Sequence, residues 1–312
     1  MKLTFEQIKS VTVGAVRIWQ ENTTVRFSKC TQKQVDAWYK LDTVLGERAE
    51  ATTGVRLDFH TNSSSFAFTA SSGSKFEIHI NGLLTHFITD SHGSIALDTS
   101  KGENRITLIL PSHETGALSS VELDDGATLT AHKFDRKLLF IGDSITQGWN
   151  SGYDSLSYAY RVSHNLNAYS VIHGVGGGFF DESTLDDELD YDPDIVIVAF
   201  GTNDWGRDTL EGLAEKFGSF FDKLLKKYSG KTVFAISPIW RADTYRRKGG
   251  TDFDDLCLTV KNAALERGII VVDGKNMVPP LTQFFSDEYL HPNALGFSIY
   301  AENLTKFIQK HI

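Results

Sequence analysis

The sequence predicts two domains: an N-terminal antiparallel β-sandwich of jelly-roll type, and a C-terminal three-layer α/β domain doubly wound around a five-stranded parallel sheet. Three observations predict it. At 312 residues and 41% hydrophobic composition the chain can build about two cores. From Val16 to about His132 short alternating segments are separated by turn residues every eight to twelve positions. Past Arg136 the pattern becomes apolar strands alternating with amphipathic helices, so the boundary falls between residues 134 and 135, giving domains 1–134 and 135–312.

The N-terminal strands read VRIWQEN, TVRFSKC, VRLDFHTN, SFAFTAS, KFEIHING, THFITD, SIALDTS, NRITLILP, SVELDDG and ATLTAH. Alternation is cleanest in the runs from Val55 and from Lys75, as half-buried antiparallel strands require. One helix interrupts them, from Gln32 to about Leu41, with Thr31 and Gln34 at capping-box spacing.

The second domain opens on Lys137-Leu-Leu-Phe-Ile-Gly-Asp-Ser144-Ile-Thr-Gln-Gly148, a buried strand that ends in a glycine-bracketed turn. A helix over Tyr158–Leu166 follows, then a strand over Tyr169–Val175 and an apolar strand over Asp194–Phe200. Leu213, Phe217, Phe220, Leu224 and Tyr228 mark an amphipathic helix. Thr232–Ile236 is the fourth strand, Asp254–Arg267 a helix and Ile269–Asp273 the fifth strand; Phe297, Tyr300, Ala301, Leu304, Phe307 and Ile308 form the apolar face of the last helix. In such a fold the ligand sits beyond the carboxyl ends of the strands.

Composition excludes several classes. A formal net charge of −9 argues against a nucleic-acid partner, and the short basic excursion from Arg241 to Lys248 reads as a solvated loop. No stretch has the apolar length of a signal peptide or a membrane span, so the expectation is a cytoplasmic chain with no membrane partner. Cys30 and Cys257 lie far apart and in different predicted domains, so no disulfide framework is expected; they lack metal-site spacing and no HExxH-type spacing occurs, so no metal is expected. A homo-oligomer is left open.

Candidate chemistry falls just after predicted strands. Serine attacks a carbonyl only with a base within hydrogen-bond reach and donors aimed at the oxyanion. Ser144 is the candidate nucleophile, although Thr146 replaces the second glycine of a G-x-S-x-G elbow. Gly174-Val-Gly-Gly-Gly178 lets a backbone N–H approach a ligand, and Phe179 rules out a dinucleotide GxGxxG. Asn203, in Gly201-Thr-Asn-Asp204, offers a side-chain N–H, though Asn-Asp is also ordinary turn composition. His291 lies in the loop entering the last helix, with Pro292 suited to the first helical position.

Together GDSITQG, GVGG, GTND and HPN-x-x-G resemble, in order, the four blocks of the SGNH or GDSL-type hydrolases, over roughly Lys137 to the C-terminus. The resemblance implies a flavodoxin-like domain in which Ser144 is the nucleophile and His291 the base. It further implies that the N–H groups of Ser144 and Gly177 and the amide of Asn203 form the oxyanion hole. The family places an aspartate three residues before the histidine. Here that position is Glu288, favoured by spacing, while Asp287, four residues before, is favoured by side-chain type. Glu288 is the preferred acid and Asp287 the alternative. Trp149, Trp205 and Trp240 are substrate-cleft candidates that could equally pack a domain surface.

A β-sandwich ahead of FIGDSITQG looks like the acetyl esterases of carbohydrate esterase family 2. That implies a serine esterase removing short acyl groups, O-acetyl foremost, from a small-molecule or oligosaccharide ester, with no cofactor. A broader lipase or thioesterase, acyl transfer in place of hydrolysis, and a non-catalytic carbohydrate-binding protein are the alternatives.

Overall fold

Alternating apolar residues turn the first unit into a sandwich of two antiparallel sheets. The computed structural model describes residues 1–100 and 102–312. Its first unit comprises Met1–Thr31 with Glu50–Phe134, and its second Gln32–Ala49 with Asp135–Ile312.

After the short helix α1 (Phe5–Ser10), the first unit contains β1 (Thr12–Val13), β2 (Arg17–Glu21), β3 (Thr24–Ser28), β4 (Arg56–Thr61), β5 (Ser65–Ser72), β6 (Phe76–Ile80), β7 (Leu83–Ile88), β8 (His92–Ala96), β9 (Asn104–Ile109), β10 (Ala117–Leu123) and β11 (Thr130–Ala131). One sheet runs β1-β4-β9-β6-β7, with β11 added to β4, and the other β2-β3-β10-β5-β8. From β4 onward the chain passes repeatedly between the sheets, which gives the jelly-roll-like weave. Phe59, Phe76, Ile78 and Leu108 of one sheet and Phe27, Phe66, Phe68 and Val121 of the other form one fully buried core.

Between β3 and β4 lie two helices, α2 (Gln32–Leu41) and α3 (Thr43–Glu50), of which only the first is expected from the sequence. The stretch Gln32–Ala49, expected inside the N-terminal domain, belongs instead to the second unit. The cause is its apolar face: Trp38 is buried, edge-on to Phe179 at 6.4 Å and tilted against Phe200 at 6.5 Å. Gln34 is drawn the same way, its amide donating to Thr184 O at 3.1 Å.

The second unit has five parallel strands, β12 (Arg136–Gly142), β13 (Ala168–Gly174), β14 (Ile195–Ala199), β15 (Thr232–Ile236) and β16 (Ile270–Val272), in the order β13-β12-β14-β15-β16. Its further helices are α4 (Ser144–Gln147), α5 (Tyr158–Asn165), α6 (Leu210–Lys227), α7 (Phe253–Leu265) and α8 (Ala294–Gln309). Leu138 and Phe140 of β12 meet Tyr158 and Val162 of α5 and Tyr300 and Leu304 of α8 on one face. An aromatic cluster of Phe180, Phe200, Phe217, Phe220 and Phe221 packs α6 on the other side. The strand order reverses between β12 and β14, which makes the carboxyl end of β12 the natural binding crevice.

Among the described residues no helix is long and apolar enough to cross a membrane. Cys30 and Cys257 are free and buried, one in each unit.

Candidate active site

The crevice is built by close approach of backbone at the end of β12. A Cβ on Gly142 would stand 2.1 Å from Thr146 Oγ1 and 2.8 Å from Ala199 O, so only glycine lets α4 fold straight back over the sheet. Asp143 caps α4 by accepting the Ile145 N–H at 2.9 Å, leaving Ser144 as its first residue. Such a position places the serine in the positive field of oriented N–H groups.

Ser144 is 8% exposed, and its Oγ lies 2.9 Å from His291 Nε2. The other ring nitrogen, Nδ1, is 2.6 Å from Asp287 Oδ2. Asp287 Oδ1 accepts the N–H groups of Leu290, His291 and Tyr289 at 2.8, 3.0 and 3.2 Å. Burial acts to raise the Asp287 pKa, but these N–H groups and the imidazole outweigh it and hold the carboxyl below its usual range. The loop is closed by Ser286 N–H on His291 O at 2.8 Å.

Two expectations are corrected here. The acid on the imidazole is Asp287, and Glu288 is exposed with φ 63. An aspartate's single methylene lets it fold back on N–H groups two to four residues ahead, and the left-handed turn at Glu288 that permits this sends the glutamate out. Pro292, expected as the first helical residue, instead precedes the cap Asn293, whose Oδ1 accepts the Leu295 and Gly296 N–H groups at 3.1 Å each.

The glycine loop after β13 lies against the same crevice. Gly177 has φ 79, and a Cβ there would crowd Arg48 Nη1 at 3.1 Å and Leu45 Cδ2 at 3.3 Å. The loop is held from several sides: Gln147 Oε1 accepts the Gly176 N–H at 2.7 Å, and Arg48 Nη1 donates to Gly176 O at 2.8 Å. Asn203 Nδ2 donates to Gly178 O at 2.9 Å, and Asp204 Oδ1 accepts the Phe180 N–H at 3.2 Å. One of the two Asn203 amide hydrogens therefore anchors the loop that carries Gly177, and the second is the donor an oxyanion would use. Sequence reasoning missed Gln147, Arg48 and Asp204 as supports. Gln147 and Asp204 stand inside the motifs themselves, whereas Arg48 comes from the unexpected helix α3.

Of the three tryptophans, Trp149 borders the site, its ring 6.4 Å from that of His291 and covered by the Arg48 guanidinium at 5.2 Å. Trp205 is 4% exposed, donates Nε1–H to Thr251 O at 2.9 Å and packs on Phe253. Trp240 packs on Phe285 at 5.0 Å against the core. Both rings pack inward, the alternative to a cleft role. Among the described residues no group of three or more His, Cys, Asp and Glu side chains is placed to hold a metal ion.

Asp143 and Asp204 are buried acids, each pushed up to about 7 chiefly by loss of solvation. Asp204 Oδ2 is buried with no hydrogen-bond partner; the Phe180 N–H, Arg207 and Lys216 lower its pKa and Asp143 raises it. An acid whose folded pKa lies above its unfolded value of about 3.9 keeps its proton only in the fold, so its contribution is lost as pH rises from about 4 to 7. The expected result is that raising the pH across this window costs the intact protein more in melting temperature than it costs Asp204→Asn. Parallel slopes in thermal melts of the two proteins would refute the assignment.

A doubly wound α/β unit that brings serine, histidine and aspartate into one hydrogen-bonded chain at its strand ends has the arrangement of a serine hydrolase. Residues 140–299 match the GDSL-like lipase/acylhydrolase family, and the chain belongs to that family. A search of curated protein sequences finds no match. Among solved structures the fold is similar to the salicylyl-acyltransferase SsfX3 of a tetracycline biosynthetic pathway, at 18% identity over 93% of this chain and 91% of that one, TM-score 0.80. It is also similar to a family two carbohydrate esterase from Cellvibrio japonicus, at 17% identity over 99% and 97%, TM-score 0.70. An acetyl xylan esterase, Est2A, from the rumen bacterium Butyrivibrio proteoclasticus matches at 16% identity over 83% and 90%, TM-score 0.61.

Proposed function

We propose that the protein is a serine esterase that removes short acyl groups, acetyl foremost, from carbohydrate through an acyl-serine intermediate. The observation that carries this reading is the relay from Ser144 Oγ through His291 to Asp287, with both links at hydrogen-bond distance. His291 Nε2 takes the serine proton as Oγ bonds to the carbonyl carbon. The resulting oxyanion is met by the N–H groups of Ser144 and Gly177 and by Asn203 Nδ2. His291 then gives the proton to the departing alcohol, and water repeats the sequence to release the acid. Asp287, kept ionised by its N–H partners, stabilises the imidazolium and fixes its tautomer.

The carbohydrate part of the reading is supported by the fold shared with carbohydrate esterases. The similarity to an acyltransferase supports a second outcome, transfer to an alcohol in place of water, by the same residues. The test is hydrolysis of 4-nitrophenyl esters from acetyl to octanoyl, followed by acetate release from acetylated sugars with and without an added alcohol acceptor. Activity confined to acetyl supports the short-acyl reading; a preference for octanoyl replaces it with a lipase or thioesterase. Ester product on the added alcohol in excess of acid would establish transfer.

For the oxyanion donors, Asn203→Ala is expected to lower kcat by about 10²–10³-fold with little change in KM. A loss of tenfold or less would remove Asn203 from that role.

A further inference from the structure

The basic excursion after β15 is more than a solvated loop. Residues Arg241, Asp243, Tyr245, Arg246, Lys248 and Tyr289 line a cavity of about 530 Å³. Arg241 is its fixed wall: 4% exposed, it is held by Asp243 through two contacts of 2.5 and 2.9 Å, donates to Thr202 Oγ1 at 3.0 Å, and stacks on Trp205 at 5.0 Å. Lys248 Nζ stands 4.9 Å from the same tryptophan ring, which is itself tied to Thr251 O at 2.9 Å. Arg246 Nε reaches Tyr245 Oη at 3.1 Å. Three cations thus face one carboxylate, on a chain whose formal net charge is −9.

Position connects the cavity to the chemistry. Thr202 precedes Asn203, and Tyr289 stands two residues before His291, with its N–H on the Asp287 carboxylate and its carbonyl accepting the Ala242 N–H at 2.9 Å. The cavity therefore takes one wall residue, Tyr289, from the loop that carries the base, and its Arg241 is bonded to the loop that carries the asparagine. Tyr245 and Tyr289 are 76% and 40% exposed, so two phenol rings are presented at the rim. Exposed aromatic rings beside one fixed cation and two exposed ones suit a ligand that is both a ring and an anion.

We propose that this cavity receives an anionic group on the alcohol or thiol side of the scissile ester, so that the preferred substrate is acidic. Two sources supply that chemistry: the carboxylate of a uronic-acid residue next to the acylated sugar, or the phosphates of a thioester carrier. Burial first, and then the like charges of Arg241 and Arg246, lower the Lys248 pKa against the pull of Asp243, a repulsion that a bound anion relieves. The proposal rests on the serine-esterase reading above.

The experiment compares kcat/KM for O-acetylated trigalacturonate, acetyl-coenzyme A and O-acetylated xylotriose at about 0.02 M salt and at about 0.5 M, where screening is short-ranged. One anionic substrate is expected to exceed the neutral one by about tenfold, through KM, with the advantage shrinking at high salt. Which of the two gains identifies the source as carboxylate or phosphate. In the double variant Arg246→Gln, Lys248→Gln the ratio of anionic to neutral kcat/KM is expected to fall toward one. An equal or better rate on acetylated xylotriose overturns the proposal, as does a double variant that slows all substrates by one common factor. Failure to turn over 4-nitrophenyl acetate, together with all three substrates, would be the failure of the esterase reading. In that case calorimetry with unacetylated trigalacturonate and with coenzyme A still decides the cavity, and binding of neither overturns it.

Discussion

Ser144→Ala is expected to lower kcat on 4-nitrophenyl acetate by about 10⁶-fold, because nucleophile and base act as one unit and loss of either removes the covalent route. Stability should scarcely change. Ser144 is the first residue of α4, whose cap comes from the Asp143 side chain, and its hydroxyl is hydrogen-bonded to His291. Alanine suits a first-turn helix position. The intact enzyme, quenched during turnover and weighed by mass spectrometry, should carry an acetyl adduct that the variant lacks. Equal melting temperatures with abolished turnover would place the loss in the chemistry. Turnover that survives undiminished would remove Ser144 as nucleophile and with it the acyl-enzyme.

Much of this arrangement was legible because it is written in local pattern. The five parallel strands are apolar runs ending in small polar turns, and each candidate residue follows one of them or enters the last helix. Tertiary choices were not legible. Capping-box spacing announces a helix over Gln32–Leu41, yet the Phe179 and Phe200 rings that receive Trp38 lie some 140 to 160 residues further along the sequence. The supports of the glycine loop were hidden for the same reason: Gln147 and Arg48 bond to the backbone of Gly176, and backbone groups carry no mark in a sequence. Trp205 and Trp240 follow the right strands, but the rings turn inward to Phe253 and Phe285.

The acid shows how a spacing rule fails where loop conformation decides. Counting back three residues from His291 reaches Glu288, whereas the fold brings Asp287 to the imidazole at 2.6 Å. Asp287→Asn separates the two with least disturbance. The amide oxygen can still accept the N–H groups of Leu290, His291 and Tyr289, so the loop keeps its shape, but the amide nitrogen now donates to His291 Nδ1. That forces the ring proton onto Nε2, the atom that must receive the proton of Ser144 Oγ. The expected loss in kcat is about 10⁴-fold. Glu288→Gln, changing an exposed side chain, should stay within about threefold, since surface substitutions away from such contacts are nearly neutral. Glu288→Gly should hold or raise stability, because glycine accepts φ 63 without the cost a side chain incurs there. A loss below tenfold in Asp287→Asn, with a large one in Glu288→Gln, would return the role to the glutamate and require the loop to rearrange when substrate binds.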